Sequence, residues 1–209
     1  MNYTFKQLQD KILGWLDYSD DQGPMRERVK EALNDALVTR VADARWPFML
    51  VEPPSTVTVS PGTQVYALDG TLDRLLYVKD QASGEPLHEV PRQEYYENTQ
   101  EDDFVLRGQN LKLLVNPTRS RVLEYQFYKL PTLLSGDADE PDIPFPHSLI
   151  LVYDSLLTLR AYTTEADNIR EWEKMQERMQ NNLIQTFLIE GQTLGAHSTY
   201  IQSDPEDWQ

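Results

Sequence analysis

The 209-residue chain has no cysteine, so thiol catalysis, disulfides, iron–sulfur clusters and thiolate-bound zinc are excluded together. Histidine is scarce: His88, His147 and His197 are far apart and show no metal-ligand spacing. No apolar run approaches the roughly 18–20 residues that a membrane span needs, and the N-terminal MNYTFKQLQD lacks the basic-then-apolar layout of a signal peptide. These absences predict a soluble protein with no membrane partner, made inside the cell.

Basic residues are also few. Nineteen Lys and Arg face 34 Asp and Glu, a net charge of -15. The imbalance is concentrated: residues 135–209 hold 4 basic and 14 acidic side chains. Such a segment repels phosphate, which disfavours a simple DNA-binding protein.

What is present reads as helices, then strands, then helices. Thr4 and Gln7 have capping-box spacing, and Phe5, Leu8, Ile12, Trp15 and Leu16 follow at helical period, predicting a helix over 4–18. A second helix over 24–45 starts at Pro24, carries the stripe Val29, Leu33, Ala36, Leu37 and Val41, and stops before Pro47. Residues 49–134 then change to a two-residue period and predict a small antiparallel β-module. Within it, 55–60 and 64–68 flank Pro61-Gly62 and are expected to form a hairpin, while 74–79, 87–90, 104–106, 111–115 and 121–129 supply further strands. An acidic loop precedes a helix over 146–163 that is apolar on most sides and expected to be the most buried. The last helix, 165–190, has Thr164 as its expected N-cap and Ile169, Trp172, Gln176, Met179, Leu183 and Phe187 along one side. The fold class is therefore α+β: a helical bundle of N- and C-terminal helices with an inserted antiparallel β-module. Residues 1–190 form one domain and 191–209 an aperiodic C-terminal arm.

Few residues suggest chemistry. A nucleophile elbow, a phosphate loop and an HExxH pair are all missing. The acidic runs Glu101-Asp102-Asp103 and 137–142 lack the spacing of a calcium loop, and nothing singles out a carboxylate pair, so no catalytic, cofactor or metal residue is assigned. Trp46 and Phe48 read as a structural corner between the second helix and the first strand. Tyr200, Ile201 and Trp208 in the arm suit anchors for a partner's groove, or contacts that fold back on the chain itself.

The order of these pieces resembles the head-to-tail adaptor (connector) proteins of tailed bacteriophages, the tail accessory factors of short-tailed phages. The resemblance is carried by Ala32-Leu33-Asn34-Asp35-Ala36 and Arg45-Trp46-Pro47-Phe48, then by Val57-Thr58-Val59 and Gln64-Val65-Tyr66-Ala67-Leu68. It continues through Leu111-Lys112-Leu113-Leu114-Val115-Asn116-Pro117, Tyr125-Gln126-Phe127-Tyr128-Lys129-Leu130-Pro131 and Ile143-Pro144-Phe145-Pro146 to the closing helices. Leu68-Asp69-Gly70 departs from it, since a proline-bearing turn is expected there.

The resemblance implies a structural virion protein, not an enzyme. It would be a twelve-fold ring of self-associated copies between the portal protein and the tail nozzle or tail tube, assembled in the host cytoplasm, that takes part in DNA packaging and genome ejection. Duplex DNA would pass through its channel without specific binding. On that reading Asp137, Asp139, Glu140 and Asp142 are channel-facing candidates and Tyr200, Ile201 and Trp208 portal-binding ones. The loops 69–73 and 100–103 are the candidates for docking the tail. The competing classes are an acidic DNA mimic or regulatory binding protein, which needs carboxylates spaced along one face, and an enzyme with a deep carboxylate pocket.

Overall fold

The computed structural model describes residues 2–18, 23–91, 100, 102–163 and 166–189. It holds four α-helices and seven strands among those residues, so the protein is α+β. The chain divides into two compact units, Met1–Arg40 with Leu133–Gln209, and Val41–Thr132.

The first unit contains α1 (Phe5–Trp15), most of α2 (Gly23–Ala42), α3 (Ile150–Thr158) and α4 (Ala166–Ile184). Thr4 and Gln7 close the capping box: the Gln7 amide donates to Thr4 Oγ1 at 3.3 Å, and the Thr4 amide donates to Gln7 Oε1 at 2.9 Å. Helix α1 ends in a Schellman turn, with the Tyr18 amide reaching Leu13 O at 3.0 Å and Asp17 at φ 57° in the position where glycine is usual. Phe5, Leu8, Ile12 and Leu13 are buried, whereas Trp15 stays exposed. The α2 stripe is buried throughout, and α2 ends at Ala42. Trp46, before Pro47, is already extended.

Helix α3 is shorter than the apolar run implied, because 3-10 turns at His147–Leu149 and Arg160–Tyr162 flank it. It packs against both α1 and α4 and buries Ile150, Leu151, Val152 and Leu156. On α4, Trp172 and Leu183 are buried and Ile169, Gln176 and Met179 half-buried, after which the helix widens into a π-turn over Gln185–Ile189. Thr164 lies outside the described residues.

The second unit is built from two sheets. One has the order β1 (Ser55–Val59), β7 (Arg121–Lys129), β3 (Leu72–Asp80); the other runs β2 (Val65–Ala67), β6 (Asn110–Leu113), β5 (Asp103–Arg107), β4 (His88–Glu89). Strand β7 lies between two partners, and its Leu123, Tyr125 and Phe127 alternate into the core with Val59, Tyr66 and Leu111.

This arrangement overturns two expectations. Strands β1 and β2 form no hairpin: β1 pairs antiparallel with β7 and β2 with β6. The Pro61-Gly62 turn does exist, with the Thr63 amide on Ser60 O at 3.2 Å and Gly62 at φ 78°, but it passes the chain from one sheet to the other. The buried Tyr66 hydroxyl anchors that passage, accepting from the Ser60 amide at 3.2 Å and serving Ser60 O and Thr63 O. Nor is the module wholly antiparallel. Strands β4 and β5 pair in parallel, His88 with Asp103 and Glu89 with Phe104. The thirteen residues 90–102 that separate these strands are enough for the connection that a parallel pair needs, so the expectation that every link was too short fails here.

Candidate functional site

The acidic loop 135–142 belongs to the first unit and is built around the start of α1. An α-helix leaves its first N–H groups without partners inside the helix. Here the Phe5 amide donates to Asp139 O at 2.7 Å and the Lys6 amide to Asp137 O at 3.1 Å. Gln7 and Leu8 donate to Thr4, through its side chain and its carbonyl. All four N–H groups are thus satisfied, two of them by the acidic loop's backbone. The Asn2 side chain adds bonds from Nδ2 to Pro141 O (3.1 Å) and Ile143 O (2.8 Å).

The four carboxylates of this loop differ in their freedom. Asp139 accepts from the Ser135 and Gly136 amides at 2.8 Å each, and these bonds hold its carboxyl below the usual carboxylate range. Asp137 and Glu140 are exposed and Asp142 is half-buried. The sequence showed only an acidic run; the structure separates a carboxylate that shapes the loop from two that face solvent.

Trp46 and Phe48 stack at 5.7 Å with their planes 14° apart. Trp46 is 3% exposed and leads into a 3-10 turn, Pro47–Met49. From that turn the chain joins the sheet, where Leu50 bridges to Tyr128 and the Val51 amide reaches Phe127 O at 3.0 Å.

Both candidate docking loops are ordered from within. Asp69 accepts from the hydroxyl and amide of Thr71, at 2.5 and 2.7 Å, which lowers its pKa. In the second loop Asp103 is buried and accepts from the Gln100 amide at 2.6 Å, while Arg121 pairs with Asp102 at 2.6 Å and lies 3.8 Å from Asp80. Asp69, Asp102 and Asp103 are therefore engaged with donors of the loop and sheet, while Glu101 lies outside the described residues. His88 is exposed on β4, whereas His147 is half-buried, edge-on to Phe187 at 5.3 Å, and burial lowers its pKa. Tyr200, Ile201, Trp208 and His197 lie outside the described residues.

Sequence reasoning missed one polar cluster. Arg40 on α2 grips Asp154 on α3 through Nε to Oδ2 (2.5 Å) and Nη2 to Oδ1 (2.6 Å), and Gln176 on α4 donates to the same carboxylate at 3.2 Å. One acidic side chain thus ties three helices. The signal was Asp154 itself, a charge within the most apolar helix, which requires a partner once buried.

Among the described residues no group of three or more His, Asp or Glu is placed to hold a metal ion, and no helix is long and apolar enough to cross a membrane. Comparison with curated proteins finds no match. The family model described as SU10 adaptor protein matches residues 3–196, which takes in the Trp46 corner, the loops 69–73 and 100–103 and the acidic loop, and leaves Tyr200, Ile201 and Trp208 beyond its end. The chain therefore belongs to the SU10 adaptor protein family, in keeping with the phage head-to-tail adaptors that its sequence resembles.

Proposed function

We propose that the chain forms a closed ring between the portal and the tail of a phage particle, lengthening the DNA channel and offering a docking surface to tail components. The observation that carries this reading is the adaptor-family match over residues 3–196. Twelve copies of a 24.3 kDa chain make a ring of about 290 kDa. The ring is a structural virion part, assembled in the host cytoplasm, with no catalytic role.

The acidity suits a channel wall, since passing duplex DNA slides past carboxylates that repel its phosphates. Asp137, Asp139, Glu140 and Asp142 supply that lining, with the exposed Asp137 and Glu140 contributing most. Replacing those two with Lys should slow DNA ejection from assembled particles. The arm 191–209 engages the portal through Tyr200, Ile201 and Trp208, and the loops 69–73 and 100–103 meet the tail.

Sedimentation velocity of the full chain, alone and with portal rings, tests the proposal. The expected result is transfer of the chain onto the portal as a complex about 290 kDa heavier than the portal alone. A chain that remains a 24.3 kDa species beside intact portal rings overturns the ring reading. Removing residues 191–209 should abolish the transfer without changing the circular dichroism of the chain, and undiminished transfer would refute the arm's role.

A further inference from the structure

Two helices of the first unit expose ridges of opposite charge. On α2, Glu27, Glu31 and Asp35 are exposed at four-residue spacing, on the face opposite the buried Val29, Leu33 and Leu37. On α4, Arg170, Lys174 and Arg178 repeat the same spacing, opposite the buried Trp172 and Leu183. Each ridge spans about 12 Å, because eight residues of α-helix rise that far. The basic one is conspicuous in its setting: only four basic residues occur in 135–209, and three of them stand in this row.

Each row, among the described residues, is paired within its own unit only at its first residue. Glu27 pairs with Lys30 at 2.8 Å and Arg170 lies 3.8 Å from Asp167. Among the described residues, Glu31, Asp35, Lys174 and Arg178 have no ion pair. Arg28, three residues before Glu31, is drawn away to Tyr162, with its guanidinium 4.9 Å from the ring centroid.

We infer that the α2 ridge of one copy docks on the α4 ridge of the next, making these two faces the subunit interface. This rests on the ring reading given above and names the surface it uses. The two patches differ, so the contact is heterologous, and repeating it head to tail closes a ring. Helices that cross at about -50° lay their four-residue rows parallel, which sets three carboxylates beside three cations. Copies with a net charge of -15 repel one another, and a contact that sets cations against carboxylates offsets that repulsion. The chain's own acidic row, equal in length and spacing to the basic one, favours a second copy over DNA as the occupant.

Charge exchange tests it. Glu31→Lys with Asp35→Lys, and separately Lys174→Glu with Arg178→Glu, place like charges in register, and each double variant should assemble on portal rings at least about tenfold more weakly than wild type. An equimolar mixture of the two variants presents opposite charges again in an alternating ring, and a chain carrying all four substitutions does so by itself. Both should recover assembly. All four positions are exposed, and circular dichroism verifies that each variant is folded. Double variants that assemble as well as wild type overturn the inference while leaving the ring reading intact. Failure of both restoring arms also overturns it, because the ridges then face different partners; loss of duplex DNA binding by the α4 variant alone would identify DNA as that partner. A wild-type chain that forms no ring with portal present sinks the ring reading and this interface with it.

Discussion

Removing the Arg40 guanidinium should destabilise the first unit far more than removing the whole ion pair. Arg40 and Asp154 have side chains only 10% and 14% exposed, and Arg40 contributes two short charged bonds to the carboxylate. In Arg40→Met the carboxylate keeps one neutral donor, Gln176, at 3.2 Å. Breaking a buried pair from one side costs about 3–5 kcal/mol. The residual exposure and the Gln176 bond favour the low end, so about 3 kcal/mol is expected, more than a hundredfold in the folding constant. Arg40→Lys retains the charge but loses the planar fork, for a cost of about 1–2 kcal/mol. The double substitution Arg40→Met with Asp154→Leu removes both charges, refills the volume and should return to within about 1 kcal/mol of wild type. Urea unfolding of wild type, Arg40→Met, Asp154→Leu and the double variant at pH 7 closes the cycle. A coupling energy under about 0.5 kcal/mol, the scale of independent sites, would refute the view that this pair ties α2 to α3.

Three smaller effects are expected. Thr4→Ala removes one half of the capping box and should cost about 1 kcal/mol by urea titration, with the Asp137 and Asp139 carbonyls still holding the first two amides of α1. Tyr66→Phe strips the hydroxyl that anchors the Ser60–Thr63 turn and should cost about 1–3 kcal/mol, with increased hydrogen exchange at the Ser60 amide. Burial lowers the His147 pKa, so its neutral form is favoured in the folded state: that stability is complete above the unfolded value near 6.5 and declines as pH falls from there through the folded pKa. Urea midpoints between pH 7.5 and 5 should show this slope, and His147→Phe should remove it.

The adaptor resemblance was legible because it depends on local text: a Trp-aromatic corner, a β-branched run and proline-bearing turns in a fixed order. The helices were legible for a similar reason. Caps and apolar periods are written within ten or twenty consecutive residues, and Thr4 with Gln7 closes in space as its spacing requires. Strand existence was equally local, and Arg121–Lys129 has the same limits in sequence and structure.

Strand pairing was not. The segments 55–60 and 64–68, with Pro61-Gly62 between them, have the local pattern of a hairpin, yet β1 finds β7 some sixty residues on and β2 finds β6. Choice of partner is settled by which faces bury Val59 and Tyr66 together with Leu123 and Leu111, and no window of sequence contains all four. The same limit hid the polar cluster and divided the acidic loop. Asp154 reads alone as a charge in an apolar helix until α2 and α4 bring Arg40 and Gln176 to it. Asp137 and Asp139 read alike as acidic residues until α1 presents amides that take their carbonyls. Sequence by itself determined the elements, the charge and the family, because periodicity, capping and composition act between near neighbours. Tertiary structure decided pairings, ion partners and which acids remain free, because those energies arise between residues that only the folded chain brings together.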